Sequence, residues 1–222
     1  MSPEKPPTRA YRSPLRAEQA AATRRAIIDG ASQVFSERGY VGATMPQIAK
    51  AAGVSIESVN KIGKKPDLLI LAFQQTYAGD SGWKTILDEP DLLRVMSMDD
   101  TDQALAAYAA LITEANTRAQ GIWPAVRTAA LTEPHVAAQI DELIALKRQD
   151  FLMRIGWYVD RGLVAAGTDH ATVAPYLYVL TSQETYDQLV HDWGYSIEGY
   201  TQWLTEAVRA LGTSAASLPA PR

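Results

Sequence analysis

An all-α protein is what this sequence predicts, on three observations. Apolar residues recur at helical spacing from Ile27 to Leu211, no stretch alternates with the period of two that marks a strand, and glycines and N-cap residues punctuate the pattern at helix-sized intervals. With 222 residues, 47% of them hydrophobic, the chain is long enough for two modest helical domains with a real core.

Residues 1–22 carry four prolines together with Lys5, Arg9, Arg12 and Arg16 and almost no periodic apolar content, which predicts a flexible basic N-terminal arm. A first helix is expected from Thr23 to Arg38, burying Ile27, Ala31, Val34 and Phe35 and stopped by Gly39. The stretch Thr44 to Lys65, TMPQIAKAAGVSIESVNKIGKK, then has the form of a helix-turn-helix. Thr44 and Gln47 have capping-box spacing, Ile48 and Ala52 make a short apolar stripe, and Gly53 permits the left-handed turn that ends the helix. Ser55 restarts the chain as an N-cap for a second short helix, Ile56 to Lys61. Pro66 opens a connecting helix, 66–78, with Leu69, Phe73 and Tyr77 on one face and the pair Lys64 and Lys65 beside its N-terminus.

Further helices are expected at Leu92–Met98, Thr101–Arg118, Ile122–Leu131, Pro134–Leu163, Ala171–Val190 and Ile197–Leu211, with Asp169 and Ser196 as caps and a bend or late start at Pro175. The domain division is therefore an arm at 1–22, a helix-turn-helix domain at 23–65, a helical regulatory and dimerisation domain at 66–212 and a disordered tail at 213–222.

Charge divides the chain in the same place. Residues 1–65 carry a net +6 and residues 66–222 a net −10, so a phosphate-attracting head is joined to an acidic body that a duplex repels. Cysteine is absent, which removes disulfides and thiolate metal sites and suits a reducing cytoplasm. The longest run without Asp, Glu, Lys, Arg or His, Ala171 to Gln183, has thirteen residues and is too short to span a bilayer. His135, His170 and His191 have no metal-ligand spacing, and Gly194 to Gly199 departs from a nucleophile elbow. There is no phosphate-cradling glycine motif. The reading is accordingly not an enzyme, with no metal and no cofactor.

Residues 23–78 resemble the DNA-binding domain of the TetR (tetracycline-repressor-like) family of bacterial regulators. The resemblance is carried by IIDGASQVFSERGYVGATMPQIAKAAGVSIESV followed by GKKPDLL, and more weakly in the body by ALAAYAALI and by TSQETYDQLV followed by GYSIEGYTQWL. It implies an Ω-shaped homodimer. One departure stands out: Asn60 occupies the place of the family's phosphate-holding Tyr, and Lys61-Ile62-Gly63 replaces the segment that contains its Phe, one residue shorter.

The residues expected at DNA are Thr44, Ser55, Ile56, Glu57, Ser58, Asn60, Lys61, Lys64 and Lys65, with Arg24 and Arg25 from the first helix. A cavity for a small-molecule effector of apolar or aromatic character is expected among Trp83, Tyr108, Trp123, Phe151, Met153, Trp157, Tyr158, Tyr176 and Tyr178, with Arg127 and Gln183 as polar anchors. Leu177, Leu180, Leu189, Trp203, Leu204, Val208 and Leu211 supply the expected dimer interface in a twofold four-helix arrangement. The function predicted is a cytoplasmic, ligand-responsive repressor that binds a palindromic operator in double-stranded DNA as a homodimer, without membrane association. Two alternatives are an all-helical small-molecule-binding enzyme that keeps the helix-turn-helix shape, and a DNA-binding regulator without a ligand.

Overall fold

The computed structural model describes residues 14–78 and 90–214, all in helices and the joints between them. The first helix, α1 (Pro14–Gly42), starts nine residues ahead of Thr23. This corrects the expectation of a flexible arm for residues 14–22. Those residues are exposed where their side chains are described, so an apolar stripe never announced them. Pro14 sits where a first turn tolerates it, and Ala20, Ala21 and Ala22 supply propensity in place of burial. Gly39, at φ 64°, breaks the regular helix as expected, and one more turn follows. That turn brings Tyr40 back onto Phe35, ring centroids 6.1 Å apart.

Next come α2 (Met45–Ala52), α3 (Ile56–Ile62) and α4 (Lys65–Ala78). Gly53 takes the left-handed conformation, φ 66° and ψ 29°, and its N–H donates to the carbonyls of Ala49 and Lys50. Gly30 plays a part that no local pattern reveals: a Cβ there would lie 2.8 Å from the Ala52 backbone nitrogen, so its absence is what lets α2 close against α1. The core of the head contains Ile27, Phe35, Ile48, Val59, Leu68 and Phe73, and it does not end at residue 65. Trp123 and Val126 of α7 (Trp123–Ala130) and Val136 and Leu143 of α8 (Pro134–Asp160) belong to the same cluster. Head and body therefore share packed side chains, and a shift in α7 or α8 is felt under the helix-turn-helix.

The rest of the body is α5 (Pro90–Met96), α6 (Thr101–Ala119), α9 (His170–Leu180), α10 (Gln183–Asp187), which runs into a π-helical turn at Gln188–Asp192, and α11 (Ile197–Ser214). A second core joins α6, α8, α9, α10 and α11 through Leu105, Ile155, Leu177, Tyr186, Tyr200 and Leu204. Asp169 and Ser196 cap α9 and α11 as expected, accepting from the N–H groups of Ala171 and Gly199. The single helix expected over Ala171–Val190 is two, and the break falls at Thr181–Ser182 rather than at Pro175. The Thr181 and Ser182 hydroxyls donate back to the carbonyls of Leu177 and Val179, both at 2.8 Å, and Ser182 then accepts from the Thr185 N–H as the N-cap of α10.

Candidate nucleic-acid interface and body cavity

Helix α3 is fastened by one side and open on the other. Val59 is fully buried in the head core, while Ile56 is 43% exposed and Glu57, Asn60 and Lys61 stand in solvent. Ser55 and Ser58 also hold the start of α3: the Ser55 hydroxyl accepts from the Ser58 N–H at 3.2 Å, and their hydroxyls lie 3.1 Å apart. The Glu57 carboxylate is held below its usual range, chiefly by its own backbone N–H and then by the Ser55 hydroxyl, so it stays ionised at the mouth of the helix. Thr44 is exposed ahead of α2, and its N–H donates to Gln47 Oε1 at 2.9 Å.

The two lysines at the start of α4 part company. Lys64 is exposed, but Lys65 lies over the Tyr40 ring at 4.3 Å and is half-buried. Burial lowers the Lys65 pKa against the opposing pull of Glu133. The helix end is also less open to phosphate than expected, because Asp67 Oδ2 accepts from the Lys64 N–H at 2.8 Å and places a negative charge there. Arg24 and Arg25 are exposed on α1.

A second group of polar residues joins head to body. Tyr40 donates its hydroxyl to Glu133 Oε1 at 2.8 Å, and Asp67 Oδ1 lies 3.4 Å from His135 Nε2. Burial first, and Glu133 second, push the Tyr40 pKa far up, so the donor keeps its proton. These contacts tie the end of α1 and the start of α4 to the turn between α7 and α8.

In the body, a cavity of about 70 Å³ opens between α4, α5, α6, α8 and the residue after α9. Tyr77 closes it from α4, Leu92 and Met96 from α5, Tyr108 and Ile112 from α6, and Thr181 from beyond α9. The remaining wall is α8, which supplies Lys147, Asp150, Phe151, Arg154, Trp157 and Tyr158. Helix α5 is pinned across this wall: the Met96 carbonyl accepts from Trp157 Nε1 and from the Arg161 guanidinium, each at 3.0 Å. Of the expected lining residues, Tyr108, Phe151, Trp157 and Tyr158 are together here.

The others are elsewhere. Trp123 packs on Phe73 in the head core, ring centroids 5.2 Å apart, and Met153 is 56% exposed. Arg127 reaches Glu184 on the surface, and Gln183 is buried against Asp187. Tyr178 borders a separate cleft between α8 and α9, and Tyr176 a groove between α9 and α11. Trp83 lies outside the described residues. Lys147, Asp150 and Arg154 were missed, although their spacing from Leu143 places them on the apolar face of α8, where a charge needs a reason.

The expected dimer residues also require correction. Leu177 and Leu204 are fully buried, and Val208 and Leu211 nearly so, in their own core, because α9 and α11 pack on α6 and α8 from within the same chain. Trp203, Leu180 and Leu189 are partly buried against that core. What remains open is the groove lined by Tyr176, Val179, Leu180, Ala207, Ala210 and Leu211.

Residues 27–61 match the family model of bacterial regulatory proteins, tetR family, and this span holds ten of the buried residues of the head core and all of α2. This segment is similar to the DNA-binding part of that family. The likeness of fold to TetR-family structures extends through the body. A Mesorhizobium loti MAFF303099 protein described as a TetR-family transcriptional regulator has TM-score 0.67 and 18% identity, over 88% of this chain and 98% of that one. A TetR-family transcriptional regulator from Cytophaga hutchinsonii gives 0.62 and 17%, over 92% and 98%. The transcriptional regulator FadR from Bacillus subtilis, solved in complex with stearoyl-CoA, gives 0.61 and 17%, over 84% and 97%. At such identities the structures share the fold alone. No curated protein matches this chain. No helix among its described residues is long and apolar enough to cross a membrane, and these residues contain no group of three or more potential metal ligands.

Proposed function

We propose that the chain is a homodimeric transcriptional repressor of the cytoplasm that binds a palindromic operator and is released by a small molecule held in the body cavity. The observation that carries this reading is the placement of α3, anchored by Val59 while Ile56, Glu57, Asn60 and Lys61 face solvent at its other side. Asn60 supplies a side chain able to pair with an adenine edge where the family pattern has a Tyr, and Lys61 supplies charge for a phosphate. The role is binding and regulation rather than catalysis.

Helix α4 is the connection between the two sites. Leu68, Leu69 and Phe73 sit in the head core, and Tyr77, one to two turns on, walls the cavity. A ligand that pushes Tyr77 or unpins α5 moves α4 and the reading head with it. Two heads must meet successive major grooves about 34–36 Å apart, so a change in their spacing releases DNA without any ligand touching it. The partner surface is the open groove between α9 and α11, where Val179 is 57% exposed.

Selection of bound duplexes from a random pool, followed by anisotropy titration, tests the reading. Two half-sites about 10 base pairs apart, centre to centre, are expected. A pool that stays random after several rounds would overturn it.

A further inference from the structure

The cavity wall joins charges to aromatic rings. Lys147, Asp150 and Arg154 lie on one face of α8 and open into the same space as Tyr108, Phe151, Trp157 and Tyr158. Asp150 is buried, and its carboxylate is paired with the Arg154 guanidinium one helical turn away. That pair is neutral as a unit. Lys147 is different: its ammonium lies 4.7 Å from the centre of the Tyr77 ring, and among the described residues it has no carboxylate partner at ion-pair distance. The described wall therefore carries one positive charge in excess, in a space otherwise walled largely by rings and alkyl groups. An ammonium so placed is better satisfied by an anion than by the face of a neutral ring.

Size narrows the choice. About 70 Å³ accommodates several waters, falls well short of the roughly 300–1,000 Å³ of pockets for drug-sized ligands and is about half the roughly 150 Å³ that admits benzene, so a single substituted ring is the upper limit and enters only as the α5 wall gives way. Resting on the regulatory reading above, we propose that the effector is a compact aromatic carboxylate, its anion held by Lys147 and its ring packed among Tyr108, Phe151 and Trp157. The anion also explains how binding reaches the reading head. Lys147 and Tyr77 share one contact, so a carboxylate that draws the ammonium away takes it from the last turns of α4.

The test uses the full chain and three probes of similar size and different charge: benzoate, benzyl alcohol and benzylamine. Calorimetry reads affinity, and a tryptophan fluorescence change that is lost in W157F reports on the site. Benzoate is expected to bind about tenfold to a hundredfold more tightly than benzyl alcohol, and benzylamine not measurably. K147M should abolish the preference for benzoate while benzyl alcohol binding persists, and K147R should restore it. Equal affinity for benzoate and benzyl alcohol overturns the proposal, as does an unchanged preference in K147M or a failure of benzoate to bind at millimolar concentration. DNA release is scored separately by anisotropy. Benzoate that binds with the expected charge preference yet leaves DNA affinity unchanged upholds the site's chemistry and overturns the regulatory reading alone.

Discussion

Glu57 illustrates how one side chain serves two purposes. Its carboxylate is tied to the first turn of α3, yet it is exposed on the face proposed to meet DNA. Glu57→Ala is expected to cost about 1–3 kcal/mol in operator affinity and to relax preference at one base pair, a cytosine by its acceptor chemistry. Binding to a panel of single-base operator variants checks this; a uniform loss across the panel would leave Glu57 as a cap and nothing more. Gly30 is constrained from the opposite direction. A methyl there meets backbone rather than a yielding side chain, so Gly30→Ala should destabilise the chain by about 1–3 kcal/mol in urea unfolding. DNA affinity should fall for every sequence alike, because α2 can no longer seat against α1.

Between elements, the contact of Tyr40 with Glu133 is expected to carry coupling that a shared apolar core alone leaves loose. It joins the end of α1 to the turn before α8, and α8 is the helix that bears the cavity's charges. Glu133→Ala removes the acceptor of a half-buried hydroxyl and the carboxylate facing Lys65, which should lower stability by about 1–2 kcal/mol. Effector affinity should be unchanged while the effector's influence on DNA affinity shrinks. Titrating DNA at zero and saturating effector in both proteins measures that coupling; a variant with full coupling would place the transmission in α4 alone.

For the whole molecule, the separation of charge and the proposed dimer surface make two further expectations. Operator affinity should fall steeply with salt, each neutralised phosphate adding about 0.9 to the magnitude of the log–log slope. Lys64→Ala should reduce that slope by about this amount, and Lys65→Ala should reduce it less, because Lys65 is already committed to the Tyr40 ring. The paired slopes of the two variants decide between them. Val179→Glu combined with Ala207→Glu places charge in the open groove without emptying the core, and should yield a folded monomer with strongly weakened operator binding. Light scattering with circular dichroism checks it, and a dimer of normal affinity would put the interface elsewhere. Leu204 is unsuitable for such a test, since charging a fully buried side chain unfolds its own core first.

The sequence by itself determined whatever depends on near neighbours along the chain. Helical period, the cap at Ser55 and the left-handed Gly53 are written in residues one to four positions apart, so the helix-turn-helix was legible, as was much of the aromatic wall on α8. Tertiary structure alone decided what depends on contacts between distant segments. Trp123 is a head-core residue because α7 crosses α1 and α4, and Leu177 and Leu204 are internal because α6 and α8 cover them. An apolar stripe states that a face is buried without stating against what, whether its own chain, a partner or a ligand. For the same reason Lys147, Asp150 and Arg154 were readable as charges on an apolar face, but only the packing of α4, α5 and α6 against α8 turned that face into the wall of a cavity.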